Sequence, residues 1–158
     1  MKLYLSGIVE ESIVDGPGVR YTIFSQGCAH NCKGCHNPQT RPFTSGGYWE
    51  DAENVVRAVQ SNHIVKGVTF SGGDPLYQSK AFTELAENLK ALGYDIWVYT
   101  GFLWEEVCGN TLMAFIDVLV DGPFIEEQRT LDLRYRGSRN QRLIDVQKSL
   151  RAGHAVTM

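Results

Sequence analysis

No stretch of these 158 residues approaches the ~18 consecutive apolar residues that a membrane-spanning helix needs. The opening Met1-Lys2-Leu3-Tyr4-Leu5-Ser6 carries neither the apolar core nor the small-residue cleavage site of a secretory leader. No low-complexity tract and no repeat of fixed period interrupts the chain. Charge of one sign is not in large excess either: 15 Lys and Arg face 18 Asp and Glu. These absences argue against a spanning protein, a solenoid and a disordered chain. What remains is a cytoplasmic globular protein of a length usual for one domain, 43% hydrophobic and 21% charged.

The modest net charge conceals an asymmetry. Residues 1–128 hold 8 Lys and Arg against 16 Asp and Glu, whereas the basic tail, 129–158, holds 7 against 2. A basic tail can meet an acidic partner or a nucleic acid. The acidic remainder speaks against a dedicated nucleic-acid-binding domain, so no direct nucleic-acid contact and no membrane contact is expected.

Cysteine is scarce, with four in the chain, yet Cys28, Cys32 and Cys35 crowd into Gly27-Cys28-Ala29-His30-Asn31-Cys32-Lys33-Gly34-Cys35-His36. In the cytosol, clustered thiols are ligands or redox groups more often than disulfides. A helix would spread them over two turns, but a compact loop can turn all three onto one metal centre. Two metal readings stay open: zinc with His30 or His36 as fourth ligand, or a 4Fe–4S cluster with one iron lacking a protein ligand. A redox dithiol would leave the third cysteine idle. Cys108 has no cysteine neighbour and reads as a bystander.

The surrounding pattern is an alternation of strands and helices. Residues 3–9 read as a strand, Asp15-Gly16-Pro17-Gly18 as a turn, and 19–25 as a Val/Tyr/Thr/Ile/Phe-rich strand that runs into the cysteine loop, 27–38. Residues 37–48 read as a long irregular connection. Helix 50–62, strand 67–70, helix 79–92 stopped by Gly93, strand 95–99, helix 103–115 weakened by Gly109 and Asn110, strand 117–120 and a short helix 143–150 complete the reading. Such alternation predicts an α/β fold in a single small domain, with helices covering a parallel sheet. The cysteine loop, Ser71-Gly72-Gly73-Asp74, Thr100-Gly101 and Asp121-Gly122 then all fall at the C-terminal ends of parallel strands, the edge where ligands bind in such sheets.

C-x3-C-x2-C followed about forty residues later by a Gly-Gly-acid after the next strand resembles the radical S-adenosylmethionine superfamily. That resemblance implies an incomplete parallel (β/α) barrel. It implies Cys28, Cys32 and Cys35 as ligands of a 4Fe–4S cluster and Gly72, Gly73 and Asp74 beside the methionyl end of S-adenosylmethionine. His30, Gly34, His36, Ser71, Thr100 and Asp121 fall by similarity around the same cofactor. Two positions depart from the commonest pattern: Gly34 replaces an aromatic residue and Asp74 a glutamate. The segments Asp15-Gly16-Pro17-Gly18-Val19-Arg20, Gly34-Cys35-His36-Asn37-Pro38 and Arg136-Gly137-Ser138-Arg139-Asn140-Gln141 are similar to the activases of glycyl radical enzymes, and within them to those acting on anaerobic ribonucleotide reductase.

The implied function is reductive cleavage of S-adenosylmethionine to a 5′-deoxyadenosyl radical that installs a glycyl radical on the large subunit of that reductase. A flavodoxin-type or other one-electron donor is implied as a second partner. Asp15, Gly16, Arg136 and Arg139 are the residues expected to face the partner. The alternatives are another small member of the superfamily, such as a 7-carboxy-7-deazaguanine synthase, or a zinc-binding interaction module.

Overall fold

A computed structural model describes residues 1–158. Its strands are β1 (Lys2–Ser12), β2 (Arg20–Ser25), β3 (Tyr48–Asp51), β4 (Gly67–Gly72), β5 (Asp95–Tyr99), β6 (Val118–Asp121) and β7 (Arg142–Asp145). Its helices are α1 (Ala52–Ser61), α2 (Ser79–Ala91), α3 (Trp104–Val107) and α4 (Val146–Ala152). The strands form one sheet in the order β3-β1-β2-β4-β5-β6-β7. The four central strands β2, β4, β5 and β6 are parallel. β1 and β3 on one flank and β7 on the other are joined by antiparallel pairing. The result is a mixed α/β domain in which the parallel core is an incomplete barrel.

Three elements depart from the sequence reading. Tyr48–Asp51 is an edge strand where the end of the irregular connection and the start of the 50–62 helix were expected, held on β1 from Lys2 opposite Asp51 to Leu5 opposite Tyr48. Residues 103–115 do not make one helix: α3 stops at Val107, and Asn110 caps a separate 3-10 turn by accepting from the Leu112 amide. The cause is the Gly109-Asn110 pair, whose preferences favour a break over a continued turn. The segment expected to be helical from 143 begins as β7, because Arg142–Asp145 pairs with β6 and the helix starts only at Val146.

Side chains alternate across the sheet, and the two faces differ in kind. One rung, Ile23–Phe70–Val98–Leu119–Ile144, crosses five strands with every residue fully buried beneath the helices. α2 contributes Phe82, Leu85, Ala86 and Leu89 to the same core, as its apolar stripe predicts. The opposite rung, Thr22–Thr69–Trp97–Val118, faces away from the helices. It is covered by two irregular segments. Tyr135 stacks edge-on to Trp97 at 5.1 Å. Arg20, 1% exposed, donates to Thr69 Oγ1 at 2.7 Å and to the Pro17 carbonyl at 3.2 Å. Thr69 in turn donates to the Asp15 carbonyl at 2.7 Å.

Candidate active site

The cysteine loop starts where β2 ends and is tied down at both ends by backbone. Gly27 donates to the Thr40 carbonyl, Cys28 to Arg41, and the Asp74 amide to Gly27. The amide of Gln26 gathers the irregular stretch behind the loop by donating to the carbonyls of Gln39, Pro42 and Ser45. Residues 39–45, which carry little regular hydrogen bonding of their own, thereby gain a fixed backing for the loop.

Cys28, Cys32 and Cys35 are all free thiols, and all three line one cavity of about 270 Å³. Ser71, Gly72 and Gly73 from the end of β4, Thr100 and Gly101 from the end of β5, and Gly122 from the end of β6 line it too. The expected convergence of strand-end loops on one site is therefore present. Glycine is needed there for space: a Cβ on Gly73 would lie 2.4 Å from the Gly27 carbonyl oxygen, and one on Gly101 2.6 Å from the His30 ring. Burial pushes the Cys28 thiol up to about 11, with Asp74 and the other two cysteines adding to the effect. No three His, Cys, Asp or Glu side chains are drawn together tightly enough to share a single ion. His30 has its Nε2 engaged by Asp74 at 2.6 Å, and His36 packs edge-on against Phe124 at 4.8 Å. Three soft thiol donors on one cavity, with the Nε2 of neighbouring His30 already engaged by Asp74, fit a cluster with one open iron.

The two strand-end aspartates sit differently from the glycines. Asp74 is fully buried and absent from the cavity wall. Its carboxylate accepts from the Leu76 amide, the Thr100 hydroxyl, the Gly101 amide and His30. Asp121, also fully buried, accepts from the Trp104 amide at 2.8 Å and from Arg142 at 3.0 and 2.6 Å. Alternation explains Asp121, which is in phase with Leu119 on the helix-covered side of the sheet, whereas Asp74 lies beyond the end of β4 and is placed by its hydrogen bonds. Gly34 also lies off the wall, close beneath Glu126 and Phe124.

A second, larger opening of about 740 Å³ adjoins the first. Asp15, His36, Tyr99 and Gly137 line both. Asp15 accepts from Ser12 at 2.5 Å, and Gly16 lies against Arg20 and Trp97. Arg136 lines the outer opening, whereas Arg139 is exposed and lines neither. Burial, reinforced by Asp15, raises the Tyr99 phenol above its ordinary value, so it stays protonated. Ile13, Val14 and Leu131 stand on the outer rim at 74%, 71% and 91% exposure.

Sequence reasoning placed Gly101 and Gly122 at this edge but missed Asn37, Tyr99, Phe124, Gly137 and Gln141 as wall residues. The last three come from the tail motif and the β6 loop it grips. Gln141 accepts from the Gly137 and Ser138 amides and donates to the Gly122 carbonyl, while Asn140 donates to Pro123. The motif thus shapes the wall through its amides rather than through its arginines. The available signal was composition: Gly, Ser, Asn and Gln together are turn formers with spare hydrogen-bonding groups.

Comparison with known proteins agrees with this geometry. Residues 14–144 match the family described as a 4Fe-4S single cluster domain. The crystal structure of QueE from Escherichia coli superposes with a TM-score of 0.53 at 16% identity, over 64% of this chain. This chain spans about half of that one, 53%, and the likeness establishes the fold alone. Fold and cysteine loop together define a single-cluster iron–sulfur domain on a partly wound α/β sheet. The anaerobic ribonucleoside-triphosphate reductase-activating protein of Vibrio cholerae is 40% identical over 138 residues, covering 82% of this chain and 89% of that one. Those of Haemophilus influenzae and Escherichia coli are 37% and 36% identical over 138 residues, each covering 82% of this chain and 89% and 90% of their own. The chain belongs to the family of anaerobic ribonucleoside-triphosphate reductase-activating proteins. No helix is long and apolar enough to cross a membrane.

Proposed function

We propose that the chain is a radical S-adenosylmethionine enzyme that installs a glycyl radical on an anaerobic ribonucleotide reductase in the cytoplasm. The observation that carries this reading is the convergence of three free thiols and the bare Gly72-Gly73 backbone on one cavity at the C-terminal edge of the parallel strands. Residues 1–158 act as one such domain, with 27–38 as the cluster loop and 129–158 as the basic tail. Cys28, Cys32 and Cys35 would hold three irons of a 4Fe–4S cluster, leaving the fourth for the amino and carboxylate groups of S-adenosylmethionine. When bound, the cluster supplies the single electron for reductive cleavage of S-adenosylmethionine to methionine and a 5′-deoxyadenosyl radical.

The protein's own residues bind, orient and exclude water. Raised to about 11 by burial, the Cys28 thiol must shed its proton to become a ligand, which the positive charge of iron drives. Ser71, Gly72, Gly73 and Thr100 would offer backbone groups, and Ser71 its hydroxyl, to the cofactor. Phe124 and His36 close one side of the cavity. The outer opening, entered past Ile13, Val14 and Leu131 and edged by Asp15 and Arg136, receives the glycine-bearing segment of the reductase. A glycine Cα suits this path because no side chain obstructs the approach. A flavodoxin-type protein is the electron donor, and nucleic acid is not a partner.

The test is anaerobic reconstitution followed by iron, sulfide and zinc analysis. Dithionite and S-adenosylmethionine are then added without and with the reductase. Matching iron and sulfide, 5′-deoxyadenosine, and a glycyl radical signal by electron paramagnetic resonance on the reductase are expected. Zinc without sulfide, and no cleavage, would reduce the loop to a structural metal knot.

A further inference from the structure

We propose that His30 is the pin of the cysteine loop, and that Asp74 with the Thr100–Phe102 turn is the socket that receives it. In this assignment Asp74 acts through His30 and the loop backbone, as a positioning residue, and does not contact S-adenosylmethionine.

The middle of the loop has few backbone anchors. Between the Cys28 amide, bonded to Arg41, and the Cys35 amide, bonded within the loop to Cys32, no backbone amide of residues 29–34 finds a backbone carbonyl outside regular structure. Beside an exposed Lys33–Glu126 ion pair at 3.8 Å, two hydrogen-bonded side-chain ties do the holding. From the solvent side, Arg41 donates to Asn31 Oδ1 at 3.1 Å and to the Cys32 carbonyl at 2.7 Å. From the protein side, the His30 ring enters a fitted slot. Its Nε2 meets Asp74 Oδ2 at 2.6 Å, its ring stands edge-on to Phe102 at 4.5 Å, and Tyr77 lies 5.7 Å away. Gly101 is the floor of the slot, since a Cβ there would overlap three atoms of the ring at 2.6 to 2.8 Å. Asn31, immediately after the pin, takes a left-handed φ of 54°, so the chain reverses where the ring is anchored.

Asp74 is built for this task. Fully buried, it is fixed by the Leu76 and Gly101 amides and the Thr100 hydroxyl, which orient its second oxygen toward His30. The same residue's amide is tied to the Gly27 carbonyl. One residue therefore grips the loop twice, by backbone at its start and by side chain two residues past Cys28. A carboxylate with four donors already in place, and absent from the cavity wall, has no free face for a ligand ammonium.

The inference rests on the reading of the three thiols as cluster ligands, but its decisive measurement does not. Iron-free full-length protein is alkylated, and the rates at Cys28, Cys32 and Cys35 are followed by mass spectrometry, with exposed Cys108 as internal reference. His30→Ala and, independently, Gly101→Ala, which keeps the histidine but fills its slot, are expected to raise the rates at Cys28 and Cys32 about ten-fold through local opening. Cys108 is expected to be unchanged and the thermal midpoint close to that of the parent. His30→Gln, which restores a donor to Asp74, is expected to recover most of the protection. On anaerobic reconstitution His30→Ala is expected to retain less iron. Parental alkylation rates in both His30→Ala and Gly101→Ala would overturn the proposal, as would full iron retention in His30→Ala with loss confined to S-adenosylmethionine binding. A parent protein that takes up no iron and sulfide would instead overturn the proposed function, while the alkylation rates would still decide the pin.

Discussion

Thr69 and Phe70 are neighbours on β4, yet they belong to different proteins in all but sequence. Phe70 points under the helices, fully buried, its ring 4.8 Å from that of Phe82 in a core of 26 buried apolar residues. Thr69, equally buried, points to the other side, where it links Arg20 to the Asp15 carbonyl. On the helix side, the sheet gains stability by close packing, and any apolar side chain of the right volume would serve. On the open side, buried polar groups hold irregular segments in one arrangement over the cavities. The same alternation thus gives one face to stability and the other to positioning.

The comparison breaks most visibly at the cysteines, which belong to neither face. Cys32→Ser is expected to abolish iron–sulfur assembly and S-adenosylmethionine cleavage while leaving the unfolding midpoint of the iron-free chain unchanged. Iron and sulfide analysis beside thermal denaturation checks both halves. Next in size is Phe70→Ala, which leaves a cavity in the packed core at a cost of about 3–5 kcal/mol. Urea denaturation of the iron-free protein reads that loss, and the proportion of cysteine ligation among molecules still folded is expected to stay at the parental level. Thr69→Val, one residue away and nearly isosteric, leaves the Arg20 Nε and the Asp15 carbonyl unpartnered and is expected to cost about 1–3 kcal/mol. Its signature is positional: faster amide exchange at residues 13–16, which Phe70→Ala does not produce until global unfolding. If both variants lower stability with identical exchange patterns, the division of labour between the faces is wrong.

Legibility in the sequence followed the same division. α2 and the buried strands β4, β5 and β6 could be read because apolar periodicity is a local signal of burial under helices. The cysteine loop and the Gly-Gly turn were legible as chemistry and as strand-end positions. What could not be read was decided by distant partners. β3 is a four-residue edge strand whose Tyr48-Trp49-Glu50-Asp51 has no apolar alternation, and only its pairing with β1 makes it a strand. β7 opens with Arg142, whose guanidinium is drawn to Asp121, 21 residues earlier. Asp74 and Asp121 were placed at the right edge; that protein donors hold both carboxylates in full burial was not legible. Asp121 lies in phase with Leu119, and alternation along β6 turns it toward the helices.

The smallest effect tests where the two faces meet, at the rim formed by Asp121, Arg142 and Glu105. Arg142 bridges buried Asp121 at 2.6 Å and exposed Glu105 at 2.8 Å, and its hydrogen bond holds the Glu105 carboxyl below its ordinary value. A carboxylate depressed in the folded state contributes stability that is present above its unfolded pKa and is lost as pH falls through its lower folded value. Glu105 is more than half exposed, so solvent screening limits that contribution to roughly 0.2–1 kcal/mol. Glu105→Gln is therefore expected to lower stability slightly at pH 7, and the gap from the parent is expected to close as the pH drops below the carboxylate range. Asp121→Asn leaves Arg142 with one exposed partner and removes a charge from a fully buried site. Its loss at pH 7 is expected to be the larger of the two. Equal losses for the two variants at pH 7 would mean that the rim is held by surface charge rather than by the buried carboxylate at the end of β6.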